Sequence, residues 1–136
     1  MTNATVQNNI EVATPGKAMN IVLWILQILG AAMFLMTGGN KIAGNEQMIG
    51  MYEAIGIGQW FRYLTGGIEA AAAILLLIPR FSGIGALILI PTMIGAILTH
   101  LLIIGGSPVL PIILLVVMAA VALGRRDRTL SMLLGK

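Results

Sequence analysis

The chain contains no cysteine, a single histidine, and few charges: eight basic and five acidic residues in 136. Without cysteine it cannot itself carry a disulfide relay. One histidine excludes a haem-type histidine pair, and no metal-ligand spacing links His100 to Glu69 or Glu53, so no metal site is expected. A glycine-rich phosphate loop and a Ser-His-Asp order are also missing. The scarcity of charge is matched by 58% apolar residues, more than a soluble domain of this length can hide. These absences leave an integral membrane protein whose first partner is the lipid bilayer. The net charge of +3 does not point to nucleic acid, because the basic residues form no stripe and sort instead by membrane side.

Four apolar runs are present: Ala18 to Thr37, Phe61 to Ile78, Ile84 to Ile104 and Val109 to Leu123. Each is read as a membrane span, the third bent at Pro91. Residues 1–17 are polar and expected to be flexible, 18–124 form the four-span membrane domain, and 125–136 form a basic tail. The run Thr37-Gly38-Gly39-Asn40-Lys41 is a poor cleavage context, so no signal peptide is expected. Residues 40–59 are too polar and glycine-rich to span. Met48, Ile49, Met51, Tyr52 and Ile55 give them one apolar side, which predicts a short interfacial helix ended at Gly56-Ile57-Gly58. The expected fold is all-α: a transmembrane four-helix bundle with a short amphipathic interfacial helix between spans one and two. With four spans, Lys17, Arg80, Arg125, Arg126, Arg128 and Lys136 share one side, against Lys41 and Arg62 on the other. The positive-inside rule then predicts both termini in the cytoplasm and the chain in the inner cell membrane.

The second span carries the feature that the rest is organised around. Glu69 lies nine residues past Trp60, roughly 13 Å along a helix, inside the hydrocarbon core. An ionised side chain at that depth costs about 2.5–3.5 kcal/mol or more, so Glu69 must be protonated, paired or facing water. On a helical wheel it shares a face with Arg62, Thr65, Gly66, Ala72, Ala73 and Leu76, while Leu64, Gly67, Ile68, Ala71, Ile74, Leu75 and Ile78 lie opposite. Small and polar residues on one side and bulky aliphatics on the other direct Glu69 into the bundle. In the third span Thr92, Gly95, Ala96, Thr99 and His100 share one arc, with Leu87, Ile94, Leu98 and Leu101 opposite.

Lys41, Glu69 and His100 therefore point inward from three different spans in the same half of the bundle, with Glu69 roughly 6 Å deeper than His100. These three are the candidate catalytic residues. Gln27, Tyr52, Glu53, Trp60, Arg62, Thr65, Thr92 and Thr99 are the candidate ligand contacts. Two readings of the cluster stand side by side. In one, Glu69 pairs with Lys41, Arg62 or His100 and only fixes the bundle, Gln27 makes an interhelical hydrogen bond, and His100 is a satisfied helix-end histidine. In the other, the cluster is a small-molecule or proton site.

Gly39-Asn40-Lys41 after the first span, then Ile55-Gly56-Ile57-Gly58-Gln59-Trp60-Phe61, Tyr63-Leu64-Thr65-Gly66-Gly67-Ile68-Glu69, and Thr92-Met93-Ile94-Gly95-Ala96-Ile97-Leu98-Thr99-His100 occur in order. This succession resembles the DoxX-like family of small four-helix membrane proteins, over about Val22 to Leu123. In that pattern the recurring polar positions fall on Lys41, Glu69 and His100. The resemblance implies a membrane subunit linked to quinone chemistry, because the founding members include a subunit of a thiosulfate:quinone oxidoreductase and others are tied to oxidative-stress responses. With no cysteine, a redox role here needs a quinone or a partner as electron carrier. Distant relatives look like assembly chaperones for membrane receptors. They imply the alternative of a non-enzymatic module that binds a lipid, an apolar ligand, a partner membrane protein or a second copy of the chain.

Overall fold

The computed structural model describes residues 14–135, so the expectation of a flexible segment falls largely outside the described residues. Among the described residues six α-helices follow in order: α1 (Lys17–Ala43), α2 (Glu46–Ile55), α3 (Trp60–Leu77), α4 (Ser82–Thr99), α5 (Val109–Gly124) and α6 (Arg126–Leu133). A 3₁₀ turn, Pro79–Phe81, precedes α4, and a π-helical turn, His100–Ile104, extends it.

The first helix outruns the expected span. It continues through Gly38 and Gly39, neither of which takes a positive φ, and stops only at Gly44, whose φ of 73° and N–H to Asn40 carbonyl form a left-handed C-cap. Two consecutive glycines should weaken a helix. The loss is offset by packing, because Gly38 sits directly on the backbone of Gly66 in α3. Asn45 caps α2 by accepting the Met48 N–H at 2.9 Å, Glu46 lies in its first turn, and Gly56 (φ 85°) ends it. Tyr52 is buried and Met48, Ile49, Met51 and Ile55 are half-buried, whereas Glu46, Gln47, Gly50 and Glu53 face outward.

Helix α3 ends because Ile78 precedes Pro79 and is held extended (φ −92°, ψ 117°). Its buried residues are Arg62, Gly66, Glu69, Ala72, Ala73 and Leu76. Helix α4 carries Pro91 within it without interruption of the helix. Gly105 and Gly106 (φ 70° and 79°) turn the chain back into α5.

The helices close a ring: α1 packs on α3, α3 on α4, α4 on α5, and α5 on α1. Lys17–Ala43, Trp60–Leu77 and Pro79–Ile104 are each long and apolar enough to cross a membrane, and α5 reaches that length together with α6, from which it is bent by 59°. The fold is an all-α membrane bundle of four helices with α2 inserted between the first two spans. Exposed Ile25, Leu29, Ile74, Leu102 and Val116 form part of its lipid-facing surface. Phe34, Ala72, Ala73, Leu76, Ala86, Leu89, Met118 and Val121 pack the half nearer the termini to near-zero exposure. Small residues set the helix spacing there: a Cβ on Gly85 would meet the Ala72 carbonyl at 2.7 Å. The short helix α6 folds back so that Thr129 rests on Gly83 and Arg128 donates to the Pro79 carbonyl at 2.9 Å.

Candidate functional site

In the half away from the termini the bundle is not filled. A cavity of about 620 Å³ lies between the ends of α1, α3, α4 and α5, with α2 along its mouth. Its size falls within the usual range of small-molecule sites, about 300–1,000 Å³. Most of the wall is apolar: Met48, Met51 and Ile55 from α2, Phe61 and Ile68 from α3, and Leu110, Pro111 and Leu114 from α5. Lys41, Glu69 and His100 all line it.

The acid is neutralised at close range. Lys41 Nζ donates to Glu69 Oε2 at 2.9 Å and to Oε1 at 3.1 Å, and Thr37 Oγ1 donates to Oε2 at 3.3 Å. The side chains of the pair are 16% and 3% exposed. Lys41 and Thr37 are one turn apart on α1, so both reach the same carboxylate. The pairing depends on helix contact: a Cβ on Gly66 would meet Lys41 Cβ at 2.9 Å, so glycine there lets α1 bring Lys41 against α3.

Arg62, the nearby second cation, has a different task. Its Nη1 donates to the Lys41 and Ile42 carbonyls at the end of α1, and its Nε donates to Gln59 Oε1 at 2.8 Å. A guanidinium there satisfies orphan carbonyls and meets the negative end of the helix dipole. Arg62 is 4% exposed and does not line the cavity.

Tyr52 of α2 is bonded to Thr65 Oγ1 at 2.5 Å, and Thr65 Oγ1 donates to the Phe61 carbonyl at 3.0 Å. Because the threonine hydrogen is committed to a carbonyl, Tyr52 is the donor to Thr65. Burial pushes the Tyr52 pKa upward, so its hydroxyl remains protonated. On the opposite wall His100 Nδ1 lies 2.9 Å from the Ala96 carbonyl. A carbonyl only accepts, so Nδ1 carries the hydrogen and Nε2 is left for the cavity. The π-helical turn that begins at His100 lies beside α2.

Of the residues expected to contact a ligand, Tyr52, Thr65, Thr92 and Thr99 line the cavity. Four do not. Gln27 lies in the packed half, donating to the Leu76 carbonyl at 2.8 Å and accepting from Arg125 Nε at 2.6 Å. Arg62 caps α1, as above. Trp60 is 60% exposed and its indole donates to the Ile57 carbonyl. Glu53 is on the exposed side of α2. Sequence reasoning missed Thr37, although its i,i+4 spacing to Lys41 was available, and placed Ile68 on the lipid side, whereas it lines the cavity. It also missed Arg125, which is fully buried, bonded to Gln27 and to Asn20 Oδ1 (2.8 Å), and ties the α5–α6 junction to α1.

The sequence model of the DoxX-like family matches residues 25–123, which include every cavity residue named above. Neither the curated proteins nor the solved structures contain a match to this chain.

Proposed function

The chain belongs to the DoxX-like family, and from that premise we propose that it is a membrane subunit which holds a lipid-soluble, quinone-type small molecule in the cavity beneath α2. The observation that supports this reading is a mostly apolar cavity of about 620 Å³ with a buried Lys41–Glu69 pair in one wall and His100 in another. Apolar walls with a few convergent polar groups are the general form of a small-molecule site. A ligand with a flat headgroup and an apolar body would lie along Met48, Met51 and Phe61, with its polar atoms near His100 and the ion pair. A bound quinone would supply the electron- and proton-carrying chemistry that a chain without cysteine lacks. The chain's own residues bind and orient it and exclude water. The stripe of Gly38, Gly66, Gly85, Ala72 and Ala73, which could have served contact with a partner helix, is occupied inside the bundle.

We place the cavity in the outer leaflet, since the termini end carries six of the eight basic residues. A reporter fused after Lys136 should be active only when it is a cytoplasmic reporter. Protein reconstituted in lipid nanodiscs should bind tetramethylquinone or its hydroquinone saturably, and Ala96→Trp, which fills the cavity, should abolish that binding. The reading fails if wild type shows no saturable binding of either form.

A further inference from the structure

The hydrogens of the cavity wall are nearly all committed to protein acceptors. Thr92 Oγ1 donates to the Ile88 carbonyl at 2.9 Å, and Thr99 Oγ1 to the Gly95 carbonyl at 2.8 Å. The Tyr52 hydrogen goes to Thr65, the Thr65 hydrogen to Phe61, and the Thr37 hydrogen to Glu69. His100 Nδ1–H goes to Ala96, and two of the three Lys41 hydrogens go to Glu69. What remains for a ligand is one Lys41 hydrogen and the Ser107 hydroxyl. Ser107 already accepts from Val109 N–H, at 3.3 Å.

The acceptors, by contrast, are open. A hydroxyl oxygen has two lone pairs, so Thr92, Thr99 and Tyr52 each keep accepting capacity after donating. With its hydrogen on Nδ1 and none on Nε2, the His100 ring presents the Nε2 lone pair, for which no partner exists among the described residues. The carboxylate of Glu69 has about four lone-pair sites, of which three are used. The wall is therefore rich in acceptors and poor in donors, and Lys41 and Glu69 offset each other's charge.

From this we infer that the cavity selects a neutral apolar molecule that donates hydrogen bonds, a phenol or hydroquinone, over the corresponding quinone; this rests on the reading of the cavity as a quinone-type site. A hydroquinone places one O–H on His100 Nε2 and keeps its oxygens available to the free Lys41 hydrogen. A quinone has only acceptors: it can take no more than the free Lys41 hydrogen and the Ser107 hydroxyl, and it leaves His100 Nε2 and the threonine lone pairs unpaired, which costs affinity for each buried polar atom. A site built to pair a hydroxyl discriminates strongly against an analogue without it.

The test compares three probes of one shape, tetramethylhydroquinone, its quinone and its dimethyl ether, binding anaerobically to the full chain in lipid nanodiscs. The hydroquinone should bind at least about tenfold more tightly than either of the others. His100→Phe should lower hydroquinone affinity about tenfold while leaving the dimethyl ether unchanged. If His100→Phe does not fold, Thr99→Val provides the same comparison with a smaller loss. Equal or tighter binding of the quinone overturns the donor selectivity and leaves the site reading intact. Failure of all three probes to bind overturns the site reading itself, and the selectivity with it.

Discussion

Lys41 Nζ reaches both carboxylate oxygens of Glu69, at 2.9 and 3.1 Å, from the last turn of a helix that runs six residues past the expected end of its span at Thr37. The pair joins α1 to α3 and forms one wall of the cavity. Removing one member leaves the other charge buried without a counter-ion. Lys41→Met should therefore cost about 3–5 kcal/mol or leave Glu69 protonated, and Lys41→Met with Glu69→Leu should recover most of that stability. A double-mutant cycle of denaturation in detergent measures it. Additive effects would show that the two side chains are not coupled.

Two adjacent glycines on α1 should behave oppositely. A Cβ at Gly38 would lie 2.8 Å from the Gly66 carbonyl oxygen and 3.1 Å from Ala70 N, whereas at Gly39 it would meet nothing within 4 Å. Gly38→Ala should force α1 from α3 and lower stability by about 1–3 kcal/mol. Gly39→Ala should be neutral or stabilising by up to about 1 kcal/mol, since alanine restricts the unfolded chain. Thermal melts of the two variants side by side give the comparison.

Alkaline pH should act on Tyr52. Burial raises its pKa above the unfolded value of about 10. Its contribution to stability is thus complete below about pH 10 and is lost as pH rises through the folded value. Tyr52→Phe lacks both the hydrogen bond to Thr65 and this titration. The melting-temperature advantage of wild type over Tyr52→Phe should hold up to about pH 10 and shrink over the range above it. A constant gap across that range would contradict the assignment.

Gln27 belongs to the packed end rather than the cavity. Gln27→Leu leaves the Leu76 carbonyl and Arg125 Nε without their partner, within a guanidinium that is entirely buried and whose Nη2 has no partner among the described residues. The cost should be about 2–4 kcal/mol. Affinity of the remaining folded protein for a cavity ligand should not change, as read by equilibrium binding in nanodiscs.

The spans, α2 with its glycine stop, and the inward face of α3 were legible because each rests on local pattern. Length against bilayer thickness, the grouping of Arg62, Gly66, Glu69, Ala72, Ala73 and Leu76 on one arc, and the left-handed residue at Gly56 need only the chain itself. The extension of α1 through Gly38 and Gly39 was not legible. Propensity argues against it, and the compensating contact comes from Gly66, 28 residues on.

Composition by itself determined that this chain lives in a membrane, and helical periodicity directed Glu69 and His100 inward, whereas Lys41 joins them only because α1 continues through Gly38 and Gly39. Tertiary structure decided what those residues do there. Lys41 and Arg62 are both cations at the same end of the bundle, yet one neutralises Glu69 and the other caps α1. Tertiary structure also decided that Gln27 pairs with Arg125, 98 residues away, and that the Thr37 hydroxyl reaches Glu69, 32 residues away. A residue's type fixes how many hydrogens it can give. Which acceptor takes them depends on distances of about 3 Å set by helices brought together from distant parts of the chain.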